Sequence, residues 1–366
     1  MSSVNDLKKI VGKFNTEGPF HSGNIFGTGH IHDTYKIKTG KGYRDYLLQR
    51  INNKVFLDIP DLQENILRVT RHIHDKLLFK GEKDIERKCL TLVETDDGKT
   101  WYRDDKGGYW RMFYFIPEHC SYEVVSSNEQ AFEGGKAIGR FQALLSDLPG
   151  PMLNETIPDF HNIEKRLETF HQTLQADPVS RVKSVSREID FVIARQEEMK
   201  IIMKLGRQGK IPLRITHNDT KFNNILFDKS DRALCLIDLD TVMPGYVHYD
   251  FGDSLRTAAN KAAEDEADLS MVNMNLNIYK YFTKGYLQQA GNILNKTEIE
   301  HLAFGPVFMT FIMGLRFLTD YIMGDVYYKI SRPDHNIIRA RAQFRLVESF
   351  EENLDTMKSI IYDYIG

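Results

Sequence analysis

The chain has 366 residues, of which 42% are apolar and 27% charged, and its formal net charge is −3. This length exceeds the size at which a single hydrophobic core usually stops growing, so two lobes or domains are expected. The charge balance shows neither the basic excess of a nucleic-acid-binding protein nor the acidic excess of a disordered chain, which favours a small-molecule partner and no nucleic acid.

The first third of the chain alternates short strand patterns with turns. Strands are predicted at Asp33–Lys38, Tyr43–Ile51, Cys89–Thr95 and Tyr109–Ile116. A helix begins at Pro60 and ends at Gly81, since proline in the first turn and glycine past the end are typical helix boundaries.

Helical patterns dominate from Ser126 onward. They are predicted at Gln130–Ser146, Ile163–Gln175, Arg187–Leu205, Asp268–Ala290 and Arg339–Ile361. The expected fold is therefore α+β with two lobes: residues 1–117 form a strand-rich lobe, an antiparallel sheet plus a helix, and residues 118–366 form a mainly helical lobe.

The cellular setting is predicted from cysteines and apolar segments. Three widely spaced cysteines without a CxxC pair are typical of reduced thiols in the cytoplasm. The start of the chain has helical spacing rather than the apolar run of a signal peptide. Arg316 and Asp320 interrupt the most apolar segment, Phe304–Met323, which favours a buried helix over a membrane span. We expect a cytoplasmic protein without a membrane partner, as a monomer or weak homo-oligomer.

The segment 215–240, ITHNDTKFNNILFDKSDRALCLIDLD, carries the chemistry. Asp219 is followed five residues later by Asn224, and Asp238 ends an apolar strand-like run. Protein kinases use this spacing: the Asp accepts the proton of the attacking hydroxyl, while the Asn and the later Asp hold magnesium. Both offer the hard oxygen ligands that Mg²⁺ prefers. The sequence therefore predicts Asp219 as the catalytic base, and Asn224 and Asp238 as magnesium ligands.

Neighbouring polar residues are expected to support this site. His217 is expected to brace the catalytic loop rather than to react. Asp240 is either a further metal ligand or a structural acceptor in the following turn. Asp250 or Asp253 is expected to cap a helix or to steady the catalytic loop through hydrogen bonds.

Beyond the spacing, THNDTKFNNIL followed by LIDLDT resembles the aminoglycoside phosphotransferase and choline kinase superfamily, whose usual motif is H-G-D-x-x-x-x-N and then I-D. The stretches IDLDTVMPG, YDFGDSLR, GLRFLTDYIMGDVYY and HNIIRARAQ look like the N-acetylhexosamine 1-kinases. The resemblance implies a protein-kinase-like fold and direct transfer from ATP–Mg²⁺ to the anomeric hydroxyl of N-acetylglucosamine or N-acetylgalactosamine.

Nucleotide contacts are then expected in the first lobe. Gly27 and Gly29 would allow the backbone to approach phosphate closely, although a short G-x-G also occurs in plain turns. The strand lysine of protein kinases is missing, so Gln49 or Arg50 would replace it; strand alternation lets only one of them face the nucleotide. Arg50 could pair with phosphate and with Glu64 on the helix.

An acceptor site is expected in the helical lobe, with one residue from the glycine turn. Arg316, Asp320, Tyr321 and Tyr328 offer hydroxyl-reading and aromatic groups near the end of a buried helix, and His30 could reach the substrate. Arg316 and Asp320 stand one helical turn apart, so an internal ion pair is the alternative.

Two other functions are compatible with the sequence. One is a kinase of the same fold for an aminoglycoside, choline or another sugar. The other is a nucleotide-binding pseudokinase that acts as an interaction module; the missing lysine favours it, and the presence of Asp219, Asn224 and Asp238 argues against it.

Overall fold

The computed structural model describes residues 4–27 and 31–365. The strands are β1 Phe20–Ile25, β2 Asp33–Thr39, β3 Tyr46–Ile51, β4 Tyr102–Arg103, β5 Tyr109–Tyr114, β6 Arg214–Thr216, β7 Ile225–Phe227, β8 Ala233–Leu236 and β9 Met243–Gly245. The helices are α1 Val4–Val11, α2 Ile59–Phe79, α3 Ile85–Lys88, α4 Asn128–Leu145, α5 Ile163–Ala176, α6 Ser186–Arg195, α7 Ile201–Arg207, α8 Val247–Ala258, α9 Leu276–Ala290, α10 Lys296–Glu300, α11 Phe304–Met323, α12 His335–Glu352 and α13 Leu354–Asp363.

The first lobe is an antiparallel sheet in the order β1-β2-β3-β5-β4. Alternate residues of β3 and β5 point to opposite faces. Tyr46, Leu48, Trp110 and Met112 are buried on the outer face, in the small core that includes residues of α1. The opposite face, which carries Leu47, Gln49, Arg111 and Phe113, therefore looks toward the second lobe.

Helix α2 joins the two lobes. Asp58 caps its first turn by accepting a hydrogen bond from the Asp61 N–H, with Pro60 in that turn. Its apolar face lies in the large core that continues into the second lobe. The buried side chain of Asn65 donates to the carbonyl oxygen of Val242 at 3.1 Å, so α2 is fastened to the second lobe.

The helical lobe is packed closely around α4, α8, α9 and α11. A Cβ on Gly135 of α4 would lie 2.0 Å from the Phe282 carbonyl oxygen of α9, so only glycine allows these helices to approach this closely. Helix α11 is long and apolar enough to span a bilayer, but 83% of its most apolar window is buried inside the molecule. It forms part of the large core, as predicted for Phe304–Met323.

Several predicted elements differ from the observed ones. Residues 89–95 run beside β5 and bond to it, from the Val93 N–H to the Met112 oxygen, but form no regular strand among the described residues. The predicted helix from Asp268 begins only at Leu276, because Asn275 caps it there. The long helix predicted from Arg339 starts earlier and breaks at Asn353.

The two-lobed α+β architecture predicted from the sequence is confirmed. The sheet ends with β5 at Tyr114, and α4 begins at Asn128. The lobe boundary proposed near residue 117 falls in the segment between them.

Candidate active site

Two small antiparallel strand pairs, the β7–β8 hairpin and the β6–β9 pair that encloses it in the chain, build the site; we call them the catalytic hairpins. β6 leads into the catalytic loop and pairs with β9, and β7 pairs with β8. The Ile237 N–H donates to the Asn224 oxygen at 2.9 Å, so the end of β8 returns beside the loop. This geometry brings Asp238 near Asp219 and Asn224, as the sequence spacing predicts.

Asp219 is held as a charged carboxylate. Its Oδ1 lies 3.0 Å from Lys221 Nζ, and the Asn224 amide donates to its Oδ2 at 3.3 Å and to its backbone oxygen at 2.9 Å. Burial raises the pKa of Asp219, but Lys221 and His217 outweigh burial and hold it below its usual value. An ionised carboxylate here can orient a hydroxyl and accept its proton.

The loop is braced by its own histidine. His217 Nε2 lies 2.9 Å from the Ile237 oxygen, and its Nδ1 accepts from the Asp219 N–H at 3.3 Å. The proton is therefore on Nε2, which ties the loop to the strand before Asp238. His217 has the bracing geometry expected for it.

Asn218 stands where the usual motif has glycine. Its φ is 64°, a left-handed conformation that asparagine tolerates better than most residues. Its amide donates to the Thr241 oxygen at 2.9 Å, which adds a link between the catalytic loop and the turn after Asp238. A Cβ on Gly245 would lie 2.9 Å from the Asn218 side chain, so glycine makes room for this link.

Asp250, at the start of α8, cradles the catalytic loop. Its carboxylate accepts from the backbone N–H groups of His217 and Asn218 at 2.9 and 2.7 Å and from the Gln142 amide at 2.9 Å. Asp253 instead binds Arg256. Of the two alternatives, Asp250 steadies the loop.

Asn224 and Asp238 have the chemistry of a cation site. The Asn224 amide nitrogen donates to Asp219, and its side-chain oxygen, which has no hydrogen bond within the described residues, is available to bind a metal. Burial, together with Asp240 and Asp219, raises the pKa of Asp238 to about 7. A half-buried carboxylate beside two others is relieved by a bound cation, so these residues fit Mg²⁺.

His32 lies in the same place but cannot bind a metal in this arrangement. One oxygen or nitrogen of each of His32, Asp238 and Asp240 falls within 4.8 Å of the others. The Asn52 N–H donates to His32 Nδ1 at 3.0 Å, so the ring proton is on Nε2, 3.3 Å from Asp240. A protonated Nε2 has no lone pair for a metal.

Asp240 is occupied by an arginine. Both oxygens accept from Arg111, at 2.6 and 2.6 Å, and both side chains are almost fully buried. Burial raises the pKa of Asp240, but Arg111 and His32 lower it far more. Its contacts favour the structural alternative over the metal ligand.

The nucleotide-side predictions fall in different places. Gln49 lies on the face toward the second lobe, whereas Arg50 is exposed on the other face, 4.0 Å from Asp33. Glu64 is exposed and forms no ion pair within residues 4–27 and 31–365, so the predicted Arg50–Glu64 pair is absent there. Gly27 has a φ of 78°, as expected of a glycine turn, and Gly29 and His30 lie outside the described residues.

Arg316 lies among aromatic rings rather than beside Asp320. Its guanidinium carbon is 5.5 Å from the ring centres of Phe160 and Tyr328 and 5.8 Å from that of Tyr327. Its one hydrogen bond within the described residues goes to a methionine sulfur. The alternative ion pair with Asp320 is therefore not formed.

Asp320 and Tyr321 hold the loop after α11. The Asp320 carboxylate accepts from the N–H groups of Val326, Tyr327 and Tyr328 and from the Asn336 amide, at 2.8–3.0 Å. Tyr321 packs under a different arginine, Arg181, and donates to Asp334. These contacts commit both side chains to shaping the loop, and a contact of either residue with the acceptor stays a prediction.

Polar groups missed by the sequence reasoning lie beside Arg316. His161 Nε2 donates to the Asn218 oxygen at 2.9 Å, and Arg166 donates to the Phe160 oxygen at 2.9 Å. His161 Nδ1, Arg166 Nε and the Tyr328 hydroxyl are buried without a hydrogen-bond partner in the part of the chain that the structure describes. We call the following residues the arginine cluster: Phe160, His161, Arg166, Arg316, Tyr327 and Tyr328.

The hydrogen bond from His161 to Asn218, the residue before Asp219, places the arginine cluster near the catalytic carboxylate. Burial, together with Arg316 and Arg166, lowers the pKa of His161 to about 3, while the hydrogen bond to Asn218 and the charge of Asp219 oppose them. Burial and Arg316 lower the pKa of Arg166. His161 is thus neutral, with an accepting Nδ1. A histidine just before a helix N-cap was the available sequence signal, but nothing in the spacing connects it to Asp219.

Known proteins share this architecture. An aminoglycoside phosphotransferase from Alicyclobacillus acidocaldarius superposes with a TM-score of 0.65 at 11% identity, covering 97% of this chain and 96% of that one. An ethanolamine kinase of Plasmodium vivax superposes with a TM-score of 0.54 at 15% identity, covering 88% of this chain and 81% of that one. A spectinomycin phosphotransferase bound to ADP and spectinomycin superposes with a TM-score of 0.53 at 14% identity, covering 94% of this chain and 99% of that one. At such identities the likeness shows the fold.

The family follows from the sequence match. Residues 22–280, more than half of the chain and including both hairpins, match the phosphotransferase enzyme family known as APH. The chain therefore belongs to this family and is a small-molecule kinase with a protein-kinase-like fold.

Proposed function

We propose that this kinase transfers the γ-phosphoryl group of ATP to a sugar hydroxyl, with the anomeric hydroxyl of N-acetylglucosamine or N-acetylgalactosamine as its acceptor. The observation that carries the proposal is the arginine cluster beside Asp219, with buried polar atoms that lack partners within the described residues. Buried polar groups in folded proteins are normally hydrogen-bonded, so unpartnered ones beside a catalytic carboxylate suit a polar ligand.

In this proposal Asp219 orients the acceptor hydroxyl and takes its proton as the new oxygen–phosphorus bond forms. Lys221, 3.0 Å away, keeps Asp219 ionised and places a positive charge beside the transferred group. His217 and Asp250 hold the loop so that the carboxylate needs no rearrangement. Positioning and electrostatic stabilisation supply most of the catalysis in phosphoryl transfer.

Asn224 Oδ1 and Asp238 would hold magnesium. When bound, Mg²⁺ neutralises the charge of the phosphate oxygens during transfer. The raised pKa of Asp238, caused by burial and the neighbouring carboxylates, supports a cation here. Asp240 is not needed as a ligand, since Mg²⁺ keeps waters and phosphate oxygens in its shell.

The arginine cluster suits hydroxyl groups. Each hydroxyl both donates and accepts hydrogen bonds. His161 Nδ1 is an acceptor, and Arg166 Nε is a donor. The Tyr328 hydroxyl can do either, and the nearby rings offer an aromatic face for the apolar side of a sugar.

Cationic acceptors fit less well. An aminoglycoside or choline would bring its positive charge to Arg316 and Arg166, neither of which forms an ion pair with a carboxylate among the described residues. Burial lowers the pKa of Arg166, and the like charge of Arg316 also lowers it. We therefore favour a neutral sugar over these acceptors, and the N-acetyl and anomeric details follow from the resemblance of the C-terminal stretches.

Steady-state kinetics would test the proposal. Release of ADP is measured with N-acetylglucosamine, N-acetylgalactosamine, glucose, an aminoglycoside and choline, using Asp219→Asn as the inactive control. The proposal predicts the highest kcat/KM with an N-acetylhexosamine. A preference for a cationic acceptor would contradict the sugar assignment, and no turnover with any of them would favour the pseudokinase.

A further inference from the structure

A buried arginine lies where the missing strand lysine would be sought. Arg111, on β5, is 1% exposed. It pairs in register with Gln49 of β3, so both point toward the second lobe. Arg111 Nε donates to Gln49 Oε1 at 2.9 Å. Arg50, by contrast, is paired with Trp110 on the opposite face. Of β3 and β5, it is thus β5 that places a positive charge on this face; Lys36 of β2 lies on the same face but is only half-buried and pairs with Asp45.

The partner of this arginine also differs from the protein kinase arrangement. There the strand lysine pairs with a glutamate of the neighbouring helix, and movement of that helix controls activity. Here the two terminal guanidinium nitrogens of Arg111, Nη1 and Nη2, donate to Asp240, two residues after Asp238. Glu64 of α2 is exposed, and Asn65 fastens α2 to Val242. The ion pair therefore joins the sheet to the loop that follows Asp238, which we call the metal loop, and not to α2.

Asp240 is held from several directions, and it stands two residues after Asp238. His32 Nε2 lies 3.3 Å from its carboxylate, and the Thr156 hydroxyl donates to its backbone oxygen at 2.7 Å. Asp238 has a φ of 62°, a left-handed conformation. Such a conformation is unfavourable in a residue other than glycine and persists where the surroundings impose it. The ion pair of Arg111 is part of those surroundings.

We propose that Arg111 is a positioning residue that fixes Asp240, and through it Asp238, at the metal position. Asp240 acts as the arginine's partner and not as a metal ligand. This inference rests on the proposed use of ATP and Mg²⁺, but it concerns how the first lobe orders the metal loop. It also implies that α2 carries no ion-pair switch of the protein kinase kind.

The test separates positioning from metal binding and from simple stability. Binding of a fluorescent N-methylanthraniloyl derivative of ATP is measured in EDTA and in saturating Mg²⁺, beside thermal unfolding, for Arg111→Gln, Asp240→Asn and wild type. Arg103→Gln, an exposed arginine on neighbouring β4, is the matched control. Wild-type binding of the nucleotide tests the proposed function, and the difference between variants tests this inference.

The Mg²⁺ gain is the factor by which Mg²⁺ increases nucleotide affinity over that in EDTA. In both variants this factor is expected to be roughly tenfold smaller than in wild type, or smaller still, as is usual when partners that orient metal ligands are removed. Affinity in EDTA should change less than about twofold, since neither side chain is expected to touch the nucleotide. The control should match wild type. Breaking a buried pair should also lower the unfolding midpoint by roughly 6 °C or more.

Three results would overturn the inference. Loss of the Mg²⁺ gain in Asp240→Asn alone would make Asp240 a metal ligand. Weakened binding in EDTA with Arg111→Gln would mean that Arg111 contacts the nucleotide itself. A lower unfolding midpoint with an intact Mg²⁺ gain in both variants would reduce the pair to a structural role.

A double variant keeps the inference testable if the single variants do not fold. Replacing a buried ion pair by apolar side chains of similar size often preserves stability. Arg111→Met/Asp240→Leu should therefore unfold near the wild-type midpoint, yet lack the Mg²⁺ gain. A double variant with the full gain would show that the ion pair is not needed to position Asp238.

Discussion

The catalytic hairpins, residues 214–245, and the arginine cluster satisfy their polar groups in different ways. In the hairpins the polar groups are paired within the protein. The Asp250 carboxylate accepts from the backbone N–H groups of His217 and Asn218, and His217 Nδ1 accepts from the Asp219 N–H. In the arginine cluster three buried polar atoms have no partner among the described residues. The first region is thus ordered before any substrate binds, and the second offers free groups to a ligand.

This difference separates the two tasks of the enzyme. A catalytic loop that is ordered in advance loses little free energy on reaching the reactive geometry. A surface with unsatisfied groups gains most from the acceptor that supplies the missing hydrogen bonds and discriminates against acceptors that leave them unpaired. Substitutions in the hairpins should therefore affect turnover, whereas substitutions in the arginine cluster should affect the choice and affinity of the acceptor.

The largest effect is expected from Asp219→Asn. The amide cannot accept the proton of the hydroxyl, so kcat should fall by about 10²–10⁴-fold while the nucleotide still binds. Stopped assays of ADP release and a thermal unfolding curve would check both points. Asp355→Asn, whose side chain is 99% exposed, is the control and should match wild type. A kcat for Asp219→Asn within a few-fold of wild type would contradict its role.

Arg316→Gln and Arg166→Gln are expected to act on the acceptor. Each removes hydrogen bonds from a charged donor, typically about 1.5–3 kcal/mol, so kcat/KM for the sugar should fall roughly 10- to 100-fold. The KM for ATP should stay the same. Arg71→Gln, an arginine with a 62% exposed side chain, is the control. An unchanged KM for the sugar would remove the arginine cluster from the acceptor site.

Asp238→Asn should change how stability depends on pH. Burial and nearby carboxylates raise the pKa of Asp238 from 3.8 to about 7, so the folded chain holds a proton there that the unfolded chain releases. Asp238 therefore favours folding at low pH, and this contribution is lost as the pH rises through about 7.

The stability of metal-free Asp238→Asn relative to wild type should consequently increase as the pH rises from about 4 to about 7 and then stay constant, with a final difference of a few degrees in the unfolding midpoint. Added Mg²⁺ should stabilise the wild type at the higher pH and leave the variant unaffected. A difference between the two proteins that stays constant from about pH 4 to about pH 7 would show that Asp238 has an ordinary pKa.

The smallest effect is expected from Arg50→Gln. Arg50 is exposed on the face away from the second lobe, so the KM for ATP should change less than about twofold. A tenfold increase in the KM for ATP would show that Arg50 binds the nucleotide. The positive charge that replaces the strand lysine would then come from β3 and not from β5.

The predictive power of the sequence differs between the same two regions. Asp219, Asn224 and Asp238 lie within twenty residues of one another, and local hairpin geometry determines where they meet. Their spacing could therefore be read directly. Strand alternation likewise predicted that Gln49 and Arg50 point to opposite faces of the sheet, as the register shows.

Contacts between distant segments could not be predicted in this way. Arg111 meets Asp240 across 129 positions, and its position depends on the register of β3 with β5. Asp320 suggested an ion pair with Arg316, but the left-handed turn at Asp325 brings backbone N–H groups to its carboxylate instead. His161 joins Asn218 only because tertiary packing places the two segments together.

The most direct test of the proposed function is a competition. Equimolar N-acetylglucosamine, an aminoglycoside and choline are incubated with the enzyme and limiting ATP, and the products are identified by phosphorus NMR. We predict one dominant phosphomonoester whose phosphorus couples to the anomeric proton of the sugar. A dominant product on the aminoglycoside or choline, or on a different sugar hydroxyl, would contradict it.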